Sequence, residues 1–446
     1  MGARTADTSY VVDAADIAHL LRRTEFVARP ARVAELSALA TLTEVVDDVL
    51  DLARNGDPQL PAELAVHDSS NSWTQRVNAT YWWLDQMATR PRPFQERMTL
   101  FWHNHFVSEW DVVGRTDQMM AQNQLFRSMA LGDFRALTHA MALQPAMLIY
   151  LSNGVNVKGA PNQNFARELM ELFTLGVGNY TEDDVAAAAR AWTGHNYNGT
   201  TRQYVFRSEK HDYGDKTLFG ITRNWDGPET IDEILLNNPG KQLVAARFVA
   251  KKAWEAFAHQ GPPAGVVEAL GDVFVASGLS VRELMRALFN RPEFYTDLAR
   301  RGLVRSPVEW VVALLVQTGL AAASTKAFDL GESMGQRLFD PPNVAGWKSN
   351  EYWMTTSAIS GRANLAKKVA AAVRANGSFD HLITMSVGDS VDAVATWLGI
   401  TLAPVTRQSL IDAHQAERIA TNGSNAKAIT NLLVMAMLTA EMHVPS

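Results

Sequence analysis

The residues of this chain best suited to acid–base chemistry lie in Asn162–Gly178, with the sequence NQNFARELMELFTLGVG. As an α-helix, which turns about 100° per residue, the segment has an apolar stripe and an opposite polar face. That polar face carries the candidate catalytic residues Glu168 and Glu171 and the candidate substrate-binding residues Asn164 and Arg167. Repulsion between the two glutamates, neighbours at i and i+3, would raise one pKa and leave an acid beside a base. The alternative is a solvated face with Arg167 as local counter-ion.

Two histidines lie in Phe94–Phe106, FQERMTLFWHNHF, which is apolar on nearly every side and is therefore expected to form a buried helix. His105 falls on the most apolar stripe, whereas His103 projects roughly opposite, so the pair cannot chelate one metal ion unless the helix ends between them. We assign His103 to tuning the catalytic carboxylates and His105 to substrate binding. Core histidines with satisfied hydrogen bonds are the alternative.

A second group of candidates lies in or beside an irregular segment over about 197–226. His211 and Asp212 lie within this segment, and Arg190 and His195 come shortly before it. Polar residues on an irregular insertion are typical of binding loops, and equally typical of turns. We assign His211 and Asp212 as candidate catalytic residues, and Arg190 and His195 as candidate substrate-binding residues. The alternative is a site for a divalent metal. Its ligands would be His103, His211, Asp212 and the two glutamates, although the spacing of these residues matches no standard metal motif.

The chain has 12 tryptophans, and several lie beside polar candidates. Trp102, Trp192 and Trp347 are candidate stacking platforms for sugar rings, with simple core filling as the alternative. The sequence lacks a Gly-rich phosphate loop followed by Lys-Ser/Thr, a G-x-S-x-G elbow and an H-E-x-x-H motif. Nucleotide hydrolysis, serine hydrolysis and zincin chemistry therefore lack their usual sequence support.

Composition excludes several further classes. The 446 residues are 47% apolar and 20% charged, which is typical of a folded globular protein. The net charge of −6 argues against binding to nucleic acids or anionic membranes, and the absence of cysteine excludes disulfides and thiolate chemistry. No apolar run approaches the roughly 20 residues that span a bilayer, and the first residues lack an apolar signal-peptide core. As given, the chain is expected to be neither inserted nor exported.

The elements that must position these residues are mostly helices, because apolar residues recur at intervals of three and four. Asp13 and Thr181 are expected N-caps, and Gly194 and Gly319 are expected stops. Strands are expected only at 203–207 and 217–222, as a hairpin excursion. The prediction is a mainly α, multi-helix single-core domain over residues 1–375, with a short β-hairpin insertion over about 197–226, and a smaller C-terminal helical lobe over 376–446.

Seven short motifs resemble a known family. They are Leu20-Leu21-Arg22-Arg23, Glu96-Arg97-Met98 with Phe101–Phe106, Pro145-Ala146-Met147-Leu148, Asn164–Gly176, Tyr180–Val185, His211-Asp212 and Pro341–Trp347. Over about Ile17 to Lys368 the sequence resembles the large bacterial family called domain of unknown function 1800. His195 stands where the family usually has tryptophan, and Thr24–Val27 replaces a more Gly-containing turn.

The resemblance implies a setting but no activity. Family members often carry export signals and are often encoded beside a sulfatase-like partner family, which implies a periplasmic or extracellular location. Without the resemblance, the leaderless chain would be expected in the cytoplasm.

The residues together predict a hydrolase that acts on a glycan or another extracellular polymer. Glu168 and Glu171 or Asp212 would be the acid–base carboxylates, with His103 or His211 tuning them and without a cofactor. The alternatives are the metal-dependent enzyme and a non-catalytic helical module that binds a partner. The expected partner is a glycan or small-molecule substrate, and the chain is expected to be a monomer or homodimer. The sharpest expectation is that Glu168 and Glu171 share a pocket with His103 or His105 and with the hairpin that carries His211 and Asp212.

Overall fold

The computed structural model of the chain describes residues 13–56, 58–420 and 425–444, and it confirms a mainly α fold. The helices of the first half are α1 (Ala14–Thr24), α2 (Pro30–Leu36), α3 (Leu42–Val49), α4 (Ala62–Ala65), α5 (Ser72–Thr89), α6 (Phe94–His105), α7 (Trp110–Val113), α8 (Thr116–Ser128), α9 (Phe134–Ala142), α10 (Pro145–Tyr150), α11 (Asn164–Glu168) and α12 (Glu182–Ala191). Those of the second half are α13 (Gly227–Asp232), α14 (Pro239–Phe257), α15 (Val266–Ala276), α16 (Val281–Phe289), α17 (Asp297–Arg301), α18 (Pro307–Thr318), α19 (Ala322–Thr325), α20 (Ala327–Met334), α21 (Thr356–Ala375), α22 (Val387–Leu398), α23 (Pro404–Ala420), α24 (Asn425–Met437) and α25 (Ala440–His443).

Helix ends follow the capping signals in the sequence. Asp13 accepts a hydrogen bond from the Asp16 amide, as expected of an N-cap. Thr181 and Asp184 form a reciprocal capping box at the start of α12. Gly319 ends α18 in the left-handed conformation, with φ of +67°. Within the described residues, no helix has both the length and the apolar character needed to cross a membrane.

The buried apolar side chains form two clusters, which we call core 1 and core 2. Core 1 draws on residues between 17 and 299, including α6, α9, α12, α14 and α16. Core 2 combines α5 and neighbouring residues with helices from 308 to 442. The C-terminal helices α22 and α24 therefore share a core with α5, α18 and α21, which lie before residue 376. The division into a main domain and a C-terminal lobe at that residue stays a prediction.

The β-insertion consists of two hairpins. β1 (His195–Tyr197) pairs antiparallel with β2 (Tyr204–Phe206), and β3 (Lys216–Leu218) pairs antiparallel with β4 (Ile221–Arg223). The sequence predicts strands near β2 and over β3 to β4 but does not predict β1. Gly194 makes the entry to β1 possible, because its φ is +80° and a Cβ there would lie 2.6 Å from the Arg207 carbonyl oxygen.

The helix that carries the two glutamates changes its winding halfway. α11 ends at Glu168 and continues as a π-helix over Leu169–Thr174. The Leu175 amide donates to the Met170 carbonyl, and the Thr174 hydroxyl donates to the Leu169 carbonyl, both across five residues. Single π-turns of this kind are rare and occur frequently at functional sites. The α-helical spacing assumed for Glu168 and Glu171 is therefore modified, because Glu171 lies in the π-turn.

Candidate functional site

Glu168 and Glu171 are both half-buried but have different partners. Glu171 accepts a hydrogen bond of 2.6 Å from the Tyr180 hydroxyl. Among the described residues, the Glu168 carboxylate has no hydrogen bond and no ion pair. Burial and the charge of Glu171 raise the pKa of Glu168 above its ordinary value, and Arg167 offsets this only in part. Arg167 makes two hydrogen bonds to Glu182 on the neighbouring helix, at 2.8 and 2.7 Å.

Glu168 belongs to a group of acidic side chains around Tyr150, the last residue of α10. Burial and the negative charges of Glu109, Glu168 and Asp340 raise the pKa of Tyr150 to about 12. The three carboxylates come from three separate segments: the N-cap of α7, the end of α11, and the loop after α20. We call these four residues the Tyr150 cluster.

Asp340 differs from the other carboxylates of the cluster because it is ion-paired. Arg76 lies 2.5 Å from it and Arg337 lies 3.3 Å from it. Arg76 is almost fully buried, and it also binds Asp111 at 2.6 Å. The Glu109 carboxylate has no hydrogen bond among the described residues, and partial burial together with the charges of Asp340 and Asp111 raises its pKa. The cluster thus holds both ion-paired and unpaired carboxylates.

His103 and Asn104 fasten the loop that carries Asp340. His103 Nε2 accepts a hydrogen bond of 3.1 Å from the Phe339 amide, and Asn104 Oδ1 accepts one of 2.7 Å from the Trp347 amide. Burial lowers the pKa of His103 to about 3, so the ring is neutral and able to accept. His103 is therefore positioned to hold the Asp340 loop, and it has no hydrogen bond to Glu168 or Glu171.

His105 and Trp347 line a cavity of about 240 Å³. His105 is 2% exposed, its Nε2 is 3.0 Å from the Phe173 carbonyl oxygen, and burial lowers its pKa well below the ordinary value. Lys252 lines the same cavity, and burial lowers its pKa to about 8. The assignment of His105 and Trp347 to substrate binding stays a prediction.

The candidates of the β-insertion, His195 and His211, lie close together, and Arg190 binds Asp212 beside them. Arg190 donates a 2.7 Å hydrogen bond to Asp212, which lowers the pKa of that carboxyl. His195 bonds Asp226 through Nε2 at 2.9 Å, and the ligand atoms of His195, His211 and Asp226 all lie within 4.8 Å of one another. Although burial opposes ionisation of Asp226, the bond with His195 lowers its pKa. Arg190 also lines a groove of about 680 Å³ between α12 and the second hairpin.

The structure therefore places the candidates in separate networks. No hydrogen bond, ion pair or ring contact between described residues joins Glu168 or Glu171 to His103, His105, His211 or Asp212. The pocket expected to contain all of them stays a prediction, as does the metal set that combines them. Asn164 is exposed.

Two of the tryptophan candidates are core residues. Trp102 and Trp192 are fully buried, and each donates its indole N–H internally, to the Ala130 carbonyl and the Thr230 hydroxyl. This is the core-filling arrangement. A sugar could stack on them only after the core opened.

Sequence reasoning missed Tyr150, Asp340, Tyr204 and Asp226. Asp226 had a usable signal, because it precedes Gly-Pro-Glu at a helix start and so is a natural N-cap. Asp340 directly precedes the Pro341-Pro342 motif. Tyr150 and Tyr204 had no distinguishing signal, since an aromatic residue at a helix end or on a strand is ordinary.

Comparisons with known proteins identify a family. A family model described as a protein of unknown function, DUF1800, matches residues 19–444. No curated protein and no solved structure matches the chain significantly.

Proposed function

Because the chain belongs to the DUF1800 family, whose description states no function, we propose its function from the site: it is a hydrolase that cleaves a glycosidic bond by acid–base catalysis at the Tyr150 cluster. The observation that carries the proposal is the contrast between two carboxylates of the cluster. Glu168 has no hydrogen bond among the described residues and has a raised pKa, whereas Asp340 is paired with two arginines. Carboxylates in such unequal environments can divide the roles of acid and base.

In the proposed reaction, Glu168 keeps its proton to a higher pH than an ordinary glutamate and donates it to the leaving oxygen of the scissile bond. The ion-paired Asp340 acts on the sugar as the base or nucleophile. With a pKa of about 12, the Tyr150 phenol stays protonated at neutral pH and can donate a hydrogen bond to a substrate oxygen. Burial, and after it the charge of the neighbouring Glu171, raise the pKa of Glu168.

A neutral, polyhydroxylated substrate suits the charges of this region. Glu109, Asp111 and Asp340 present carboxylate oxygens within 4.8 Å of one another, with Glu168 close enough to act on the same phenol. Such a cluster repels phosphate and carboxylate groups, whereas hydroxyl groups can donate hydrogen bonds to the carboxylates. A glycan therefore fits better than a nucleotide or an acidic polymer.

The test uses purified full-length protein, a panel of soluble polysaccharides and aryl glycosides, and three variants. We expect E168Q and D340N each to lower kcat on a polysaccharide by roughly 100-fold or more. An activated aryl leaving group needs no protonation, so it should restore most of the activity of E168Q but not that of D340N. E182Q is the matched control, because it changes an exposed carboxylate next to Arg167 outside the cluster.

Two results would overturn the proposal. The first is a wild-type chain that hydrolyses no member of the panel. The second is an activity that E168Q and D340N retain at the level of E182Q, because the hydrolysis would then occur elsewhere in the protein.

A further inference from the structure

We propose that His195, His211 and Asp226 form a binding site for one divalent first-row transition metal ion such as Zn²⁺, independent of the acid–base site. The three residues come from separate positions in the insertion: the start of β1, the segment before β3, and the N-cap of α13. One nitrogen of each histidine and one oxygen of Asp226 lie within 4.8 Å of one another. Two imidazoles and a carboxylate suit zinc and its neighbours in the first row.

The hydrogen bonds of His211 prepare it as a ligand. Its Nδ1 is 2.7 Å from the Thr193 carbonyl oxygen. Because a carbonyl oxygen can only accept, Nδ1 carries the proton of the neutral ring and Nε2 carries the lone pair. Among the described residues, Nε2 has no hydrogen-bond partner. A histidine that donates one N–H to a backbone carbonyl and keeps the other nitrogen free is typical of metal sites.

His195 can also carry its proton on Nδ1 and leave Nε2 free for a metal, because the Tyr204 hydroxyl can either donate to Nδ1 or accept from it. The Tyr204 hydroxyl lies 2.9 Å from Nδ1, and Asp226 lies 2.9 Å from Nε2. Without metal, Nε2–H donates to Asp226 and the tyrosine hydroxyl donates to Nδ1. When a metal binds, the ring proton moves through solvent to Nδ1 and is donated to the tyrosine oxygen. Nε2 and Asp226 then both face the ion, and the ring loses no proton.

The surroundings hold the two rings while leaving one side accessible. His195 and His211 are 2% and 3% exposed, whereas the Asp226 side chain is 47% exposed. Gly227 lets α13 approach closely, since a Cβ there would lie 3.0 Å from His195 Nε2 and 2.6 Å from the Trp192 ring. The exposed side of the site is that of Asp226, and three protein ligands leave a further coordination position there for water or a small ligand.

A second histidine–aspartate pair supplies a matched control. His139 Nε2 lies 2.8 Å from Asp232, a contact like that between His195 and Asp226. This pair belongs to no three-ligand cluster among the described residues. It should therefore bind no metal, although its histidine–carboxylate contact is of the same kind.

The experiment measures metal binding directly. Full-length protein without a histidine tag is stripped with a chelator and titrated with Zn²⁺ in competition with a chromophoric chelator, and then with Co²⁺ to observe its visible absorption. We expect one ion per chain. D226N should weaken binding by roughly 100-fold and still fold, because asparagine is also a good N-cap. Y204F, which removes no ligand, should weaken binding by about 10–100-fold.

H139Q should bind the metal as tightly as the wild type. The proposal is overturned if the wild type binds no stoichiometric ion, or if D226N and Y204F both bind as tightly as H139Q. Circular dichroism of each variant excludes loss of fold as the cause of weaker binding. The titration of E168Q should match the wild type, because the metal site does not depend on the proposed hydrolase.

Discussion

The buried ion pair between Glu96 and Arg127 offers the sharpest test of how the fold is stabilised. Glu96 on α6 is 0% exposed and Arg127 on α8 is 1% exposed. The guanidinium donates to both carboxylate oxygens, at 2.6 and 2.7 Å. Trp83 adds an indole hydrogen bond of 2.9 Å to the same carboxylate. The pair supports the helix that carries His103 and Asn104, which fasten the Asp340 loop.

The perturbation is E96Q, which keeps the shape of the side chain and removes its charge. Arg127 is then left buried without its counter-charge, and breaking a buried pair in this way costs about 3–5 kcal/mol. This is a large part of the roughly 5–15 kcal/mol by which domains are stable. The double variant E96L/R127M removes both charges of the pair, so it should recover part of the loss. Recovery stays incomplete because Arg90, 3.4 Å from Glu96, and the Trp83 indole also lose this acceptor.

The assay is equilibrium unfolding in urea, followed by tryptophan fluorescence and by circular dichroism. The expected result is a lower midpoint for E96Q with an unchanged slope, and a midpoint for the double variant closer to that of the wild type. If E96Q loses less than about 1 kcal/mol, the pair behaves as a solvated surface pair and the reasoning from burial is wrong.

Three further predictions concern single positions. Because the pKa of Glu168 is raised in the folded chain, its ionised form opposes folding. E168Q should therefore raise Tm at pH 7, and the gain should vanish below about pH 3.5, where glutamate is mostly protonated in both the folded and the unfolded chain. Burial lowers the pKa of Lys252 to about 8, so its charged form opposes folding. K252M should raise Tm at pH 7, and the difference should shrink between about pH 8 and about pH 11, above which lysine is neutral in both the folded and the unfolded chain. Gly346 has a φ of +82°, and a Cβ there would lie 2.3 Å from Asn104 Oδ1; G346A should lower the unfolding free energy by roughly 1–3 kcal/mol in urea, whereas G199A, which meets nothing within 4 Å, should change it little.

Local signals in the sequence account for much of the helical framework. Asp13, Thr181 and Gly319 mark helix ends correctly because capping depends on a side chain and the few residues beside it. β1 was missed because its partner strand begins seven residues later, and its three residues show no alternation of their own. Pairing between distant segments cannot be derived from periodicity.

The candidate site was predictable only in part for a similar reason. Glu168 stands out in the sequence because a second carboxylate follows three residues later. Tyr150, on which Glu168 acts, and Asp340, which acts on the same tyrosine, come from other parts of the chain, and only the folded structure brings them together. The π-turn after Glu168 depends on hydrogen bonds across five residues, which a helical wheel does not anticipate.

The two cores also set an order of events during synthesis on the ribosome. The last residue of core 1 is Ala299, so that core can close while the rest of the chain is still being made. Core 2 needs helices that extend to Met442. Until these helices emerge from the ribosome, part of the apolar face of α5 stays exposed to solvent. At about 5–20 residues per second, the 143 residues from 300 to Met442 take roughly 7–30 s. During that interval the nascent chain exposes the surface on which a chaperone would act.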